Sequence, residues 1–287
     1  NDNRAVYIHT TAIWGLNNAE VKTFQAGTTS TGNAVYSLNN TNITPTLIHT
    51  ITKASPLTFS TSTGQSITIG AAVSTAKQFN VANVNEDAVS PSDVWTNYST
   101  TNCIVQLDDD TGSQEMAGSL NSFGTGNFTI NWTDAPPTTA RAFSVLVLDS
   151  PNVDIGLITQ RSGTGTQVVT TDTNVNTVRG LMVFSNDQTT GTTQSTARML
   201  IGGASNTTTD QGLVVTGEND GVSTTETVRL NKTGAIIKSI TVNATPTSST
   251  TTAEASLSSV STQDQFTLNW TTADTTARKH HYIVFGS

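Results

Sequence analysis

Cysteine occurs once in this 287-residue chain, charged residues make up only 12% of it, and aromatic residues 6%. The single Cys103 excludes an internal disulfide and reads as a small apolar core residue rather than a nucleophile. An ordinary cytosolic enzyme carries about twice this charge, so the surface must consist largely of threonine, serine and asparagine. Basic residues are few, 13 Lys+Arg against 21 Asp+Glu for a net charge of -8, and they are nowhere clustered. A phosphate backbone would find little to hold it, so nucleic acid is not an expected partner. No apolar stretch approaches the ~20 residues of a spanning helix, and no secretory leader is visible, so no membrane partner is expected. The first residue is Asn rather than Met, as in a processed chain or a fragment. Also missing are a Gly-x-Ser-x-Gly elbow, a His-Glu-x-x-His zinc motif and a phosphate-binding glycine loop.

What the chain does have is a duplication. Phe128-Thr-Ile-Asn-Trp132 is followed by a turn, Thr139-Ala-Arg141 and an apolar run; Phe266-Thr-Leu-Asn-Trp270 is followed by a turn, Thr276-Ala-Arg278 and another apolar run. The two phenylalanines and the two tryptophans are each 138 residues apart (266−128 and 270−132). Upstream, Ile69-Gly-Ala-Ala72 matches Ile201-Gly-Gly-Ala204, Cys103-Ile-Val105 matches Ala235-Ile-Ile237, and Thr31-Gly32 with Val35 matches Thr164-Gly165 with Val168. Two modules of a common domain size follow, residues 21–150 and 151–287, with 1–20 left as an N-terminal arm or extra strand.

The local signal is β throughout. Phe266, Leu268 and Trp270 fall on one face of an extended segment and Thr267 and Asn269 on the other, the period of a half-buried strand, and Phe128, Ile130 and Trp132 repeat it. Eight to ten such segments per copy, separated by Gly, Asn, Ser and Thr, suit an all-β fold of two tandem antiparallel β-sandwiches, jelly-roll-like. The last segments, Ala142–Leu148 and His280–Phe285, are apolar almost without alternation, so both of their faces need cover. One face belongs in the sandwich; the other is expected against the sister module or a neighbouring subunit, which argues for a homo-oligomer. His281 and Tyr282 are candidate assembly contacts on this ground. So are Tyr7 and Trp14, in the strand-like segment Arg4–Thr10 and just after it, which must dock somewhere.

Clusters that resemble chemistry have simpler readings. Asp108-Asp109-Asp110 lacks the spacing of a calcium loop and reads as a solvated turn. His280 and His281 are adjacent on a strand and point to opposite faces, so they cannot share a metal, and His9 and His49 are isolated. Glu20, Glu86, Glu115, Glu218, Glu226 and Glu254 are scattered, with no partner fixed by a strand frame as a glycosidase pair requires. No catalytic residue, cofactor or metal is expected. Arg141 and Arg278 read as clamps on the last hairpin, stacking on Trp132 or Trp270 and bonding turn carbonyls or a carboxylate. The tryptophans themselves belong with Phe128 and Phe266 in the core rather than on a sugar platform.

The stretch from Thr164-Gly165 through Ile201-Gly-Gly203 and Phe266-Thr-Leu-Asn-Trp-Thr-Thr-Ala-Asp274 to Thr276-Ala-Arg278 resembles a repeated module of tailed-phage and viral-metagenome structural proteins. Gln265 stands where those modules have Gly before the Phe, and the first copy departs further, with Asp134-Ala-Pro-Pro137 in its turn. The resemblance implies a virion component and does not specify head, tail or fibre; the expectation built on it is a non-enzymatic capsid decoration or head or tail fibre part of the virion, in contact with other virion proteins. A lectin-like adhesin for host glycans is the alternative.

Overall fold

The computed structural model describes residues 16–26, 30–53, 65–86, 89–137, 141–172, 174–223, 227–243, 248–260 and 264–287. These form twenty strands. The first ten are β1 (Asn18–Gln25), β2 (Gly32–Ser37), β3 (Leu47–Lys53), β4 (Gln65–Ala72), β5 (Gln78–Asn85), β6 (Val94–Ser99), β7 (Ile104–Leu107), β8 (Gln114–Gly124), β9 (Asn127–Asp134) and β10 (Ala142–Asp149). The second ten are β11 (Val153–Thr159), β12 (Gly165–Thr170), β13 (Val178–Ser185), β14 (Thr196–Ser205), β15 (Gln211–Asn219), β16 (Thr227–Thr233), β17 (Ile237–Val242), β18 (Ser249–Val260), β19 (Gln265–Thr272) and β20 (Lys279–Gly286).

Each set folds into the same antiparallel sandwich. A six-stranded sheet has the order β1-β10-β3-β4-β5-β6 and a four-stranded sheet the order β2-β9-β8-β7; the second set repeats this as β11-β20-β13-β14-β15-β16 and β12-β19-β18-β17. The first two strands pair with the last two, as in a jelly roll, and meanders fill the rest. Strand β1 begins at Asn18, inside the segment assigned to the arm, while Tyr7, His9 and Trp14 lie outside the described residues.

The alternation read from sequence sets which side faces in. Phe128, Ile130 and Trp132 are buried in the first sandwich core with Phe143, Val145 and Val147; Phe266, Leu268 and Trp270 are buried in the second with Tyr282 and Val284. Each such side chain stabilises its sheet pair by roughly 2 kcal/mol. The matched glycines Gly32 and Gly165 start β2 and β12 with φ of 117° and 112°, a region that an L side chain rarely enters, which explains their recurrence.

Register between the copies is exact at most matched positions and corrected at one. Cys103 and Ile236 both donate their backbone N–H across to the neighbouring strand, to the carbonyls of Gly118 and Ala255, which are the cross-strand partners of Trp132 and Trp270. The counterpart of Cys103 is therefore Ile236, not Ala235. Cys103 is fully buried and burial pushes its thiol up to about 12, as a core residue requires.

The two six-stranded sheets cover each other. Leu47, Ile69, Phe79, Val81 and Leu148 of the first sandwich form one apolar cluster with Val153, Ile155, Phe184, Met199 and Ile283 of the second. The near-continuous last strands are thereby explained: β10 sends Phe143, Val145 and Val147 into its own core and Leu146 and Leu148 into this junction, and β20 divides Tyr282 and Val284 from Ile283 and Phe285 in the same way. Their second faces are covered within the chain and give no ground for a neighbouring subunit.

Polar bonds close the rim of the junction. Thr96 on the edge strand β6 exchanges two backbone hydrogen bonds with Gln194, at 2.9 and 3.0 Å, and its carbonyl also accepts from Gln188 Nε2 at 2.6 Å. Ser92 and the Gly221–Val222 turn exchange another pair at 2.7 and 2.9 Å. Across the opposite rim Lys77 Nζ lies 2.7 Å from the buried Asp154 and 2.6 Å from Asp172. The covered edge β6 is uncharged; its counterpart β16, which no neighbour caps among the described residues, carries Arg229 and Lys232, as exposed edges do to discourage pairing. With an apolar junction of this extent the chain should unfold in one transition. Phe79→Ala, which removes the ring stacked on His281 at 4.8 Å, should cost about 3–5 kcal/mol and split the transition in two. Calorimetry of both proteins checks this, and a single unshifted peak for the variant would show that the junction does not couple the sandwiches.

Candidate functional site

The recurring arginines sit where a clamp requires, with different partners in the two copies. Arg278 forks onto Asp274, Nη1 to Oδ1 at 2.7 Å and Nη2 to Oδ2 at 2.9 Å, while Gln160 Nε2 donates to the same Oδ1 at 2.7 Å. These charge-assisted bonds, chiefly those from Arg278, hold the Asp274 carboxyl down at about 2. Arg141 instead pairs with Glu115 on β8. The expected stacking on tryptophan is not found: the cation–π contact among the described residues is Lys22 over Phe24. Trp132 donates its indole N–H to Tyr36 at 3.0 Å and Trp270 to Gln167 at 2.8 Å, and both rings are buried, so no sugar platform exists there.

The histidines are structural. His281 is buried at the junction, stacked on Phe79 and packed 5.1 Å from Tyr98, and His280 is buried on the opposite face, 5.9 Å from Trp270. Burial holds both near 3, with Arg278 adding to the depression of His280. His49 donates from Nδ1 to the Gly70 carbonyl at 2.9 Å and lies 5.4 Å from Phe184. Tyr282 is buried in the second core. The expectation that His281 and Tyr282 face another subunit is therefore corrected: one contacts the sister module and the other its own core.

The acidic groups anchor their own neighbourhoods. Asp108 Oδ1 accepts from Asp110 N, Thr111 N and Thr111 Oγ1 at 2.9 to 3.1 Å, closing the turn it was read as. Glu20 accepts the backbone N–H of Asn39 and Asn40, both at 2.8 Å, and Glu254 holds Lys232 and Lys238. Glu86 is pushed up by desolvation and by Asp110 and Asp93; Glu226 lies outside the described residues. Among the described residues no three His, Cys, Asp or Glu side chains converge as a metal site.

Two features escaped the sequence reading. Asp187, at a φ of 63°, is half-buried and accepts from Ser239 Oγ at 2.7 Å and Ile240 N at 3.2 Å, tying the β13–β14 connection to β17; desolvation of the carboxyl raises it above the ordinary range. The other is a cleft of about 260 Å³ between the sandwiches, with Ile67, Met199, Ile201 and Val214 on its walls and Asn83, Asn85, Glu218 and Arg229 among its polar groups. Neither has a sequence signature, since both are made by segments more than 50 residues apart. Compared with known protein families, characterised proteins and solved structures, the chain matches none. Its class rests on the fold: a double antiparallel β-sandwich joined through its larger sheets.

Proposed function

We propose that this chain is a non-enzymatic structural component of a virus particle, a capsid decoration or fibre part, held in place by contacts between its outward sheet faces and neighbouring subunits. The observation that carries the reading is a duplicated pair of uncharged cross-strand rows on the outer faces. With the six-stranded sheets turned toward each other, the four-stranded sheets face outward, and they present the same cross-strand rows. Val35-Thr129-Ser122 on one matches Val168-Thr267-Ser259 on the other, and Asn33-Asn131-Ser119 matches Thr166-Asn269-Ser256. Val35 and Val168 are 65% and 59% exposed, a repeated aliphatic residue on otherwise hydroxyl and amide surface. Short neutral side chains lose less entropy on contact than Lys or Glu and still form hydrogen bonds. The resemblance of the second copy to virion modules points the same way.

Sedimentation at high concentration, together with rebinding to particles stripped of the protein, tests this. Association or rebinding is expected for the native chain and loss of both for the Val35→Asp, Val168→Asp double variant with its melting temperature kept. A chain that stays monomeric and does not rebind overturns the proposal.

A further inference from the structure

The cleft between the sandwiches has a cause in the repeat. On the ladder of the first sandwich Ile69 pairs with Val81 and Val81 with Tyr98, and Phe79 pairs with Ala71. The second sandwich places Ile201 beside Val214, Val214 beside Asn231, and Gly212 beside Gly203. Ile69 and Val81 are buried in the junction, but their counterparts Ile201 and Val214 stay 41% and 39% exposed. Glycine and asparagine stand where the first copy has phenylalanine and tyrosine, so the second copy lacks the rings that would fill its share of the junction.

Polar capacity is left over in the same cleft. Asn83 Oδ1 is a buried acceptor with no hydrogen-bond partner. Arg229 lines the cleft and makes no ion pair or hydrogen bond among the described residues, whereas Arg141, Arg161, Arg179, Arg198 and Arg278 each do. Glu218 accepts one bond at each oxygen, Oε2 from Asn85 Nδ2 at 2.8 Å and Oε1 from Thr227 Oγ1 at 3.2 Å, and its remaining lone pairs can accept a hydroxyl. A buried acceptor left without a donor is destabilising, and Arg229, exposed at the mouth of the cleft with no partner among the described residues, offers a planar fork of donors that favours a carboxylate.

From this we infer that the cleft binds a carboxylate-bearing sugar ring, such as a uronic acid residue. The carboxylate pairs with Arg229, a ring hydroxyl donates to Asn83 Oδ1, another donates to Glu218, and the aliphatic face of the ring covers Ile201 and Val214. A plain fatty acid would pair with Arg229 but leave Asn83 Oδ1 without a donor, and a neutral sugar would forgo the ion pair with Arg229. The inference does not depend on where in a particle the chain sits.

Titration with glucuronate, glucose and hexanoate, followed by calorimetry or by amide shifts of labelled protein, is the test. Saturable glucuronate binding is expected, with glucose and hexanoate at least ~10-fold weaker, the loss of one charge-assisted bond. Arg229→Gln should weaken glucuronate by a similar factor, and Val214→Trp, which fills the cleft without altering charge, should abolish it; unchanged melting temperatures show that both variants fold. No binding of glucuronate, equal binding of glucose, preference for hexanoate, or binding that survives both substitutions would each overturn the assignment.

Discussion

Gly202→Ala should destabilise the chain by about 3 kcal/mol or more, at the upper end of what overpacking costs. A Cβ built on Gly202 would lie 2.0 Å from the carbonyl oxygen of Ile236, and one on Gly70 would lie 1.9 Å from that of Cys103. In both copies the residue that leads into β7 or β17 crosses directly over the β4 or β14 glycine, and the obstructing atom is backbone in a packed interior. In the first copy that carbonyl is further fixed by Thr50 Oγ1, which donates to it at 2.6 Å. Relief requires two sheets to move apart by about an ångström, which interior packing density does not allow cheaply. Gly70→Ala should behave alike. Gly163→Ala, whose Cβ would meet nothing within 4 Å, should change stability by no more than about 0.5 kcal/mol. Denaturant midpoints of the three variants decide the matter, and a Gly202→Ala protein as stable as the native one would show the crossing is slack.

Mild acid should weaken the fold steeply. His280 and His281 are held near 3 against an ordinary value of 6.5, because burial penalises the charged ring, and His49 is depressed for the same reason. Between those values the unfolded chain takes up protons that the folded chain refuses. Stability is therefore full above about pH 6.5 and falls as pH drops toward 3, by about 1.4 kcal/mol per pH unit for each proton involved. Asp187 and Glu86 work in the opposite sense, since their raised carboxyls favour the protonated folded form, but Glu86 is partly exposed and the two together oppose three histidines. Melting temperatures from pH 7.5 to 4 should show the decline. His281→Phe keeps a ring against Phe79 and removes one titrating group, so its decline should be visibly shallower. Parallel curves for native and variant proteins would mean that His281 is not the group responsible.

The glycines could be matched from sequence, as Ile69-Gly and Ile201-Gly, but nothing in the sequence said what passed over them. The histidines were legible as strand neighbours pointing to opposite faces, and that parity holds: His280 faces Trp270 and His281 faces Phe79. What they face required the packed molecule. Arg141 and Arg278 divide in the same way, since their carboxylate partners were anticipated as a type while Glu115 and Asp274 as particular residues, and the missing tryptophan stacking, were not.

The duplication, the strand frame and the inward side of each strand were determined by the sequence alone, because a period of two is a local property that neighbouring residues set by themselves. The tertiary structure decided which apolar face meets which. The outer faces of β10 and β20 could have closed on another chain; they close on each other's sandwich because the short link between Asp149 and Val153 keeps the two large sheets adjacent, and burying both in one junction removes the most apolar surface from water. The same packing turned the neutral Thr, Asn and Val rows outward and left the second copy's unfilled share of the junction as a cleft.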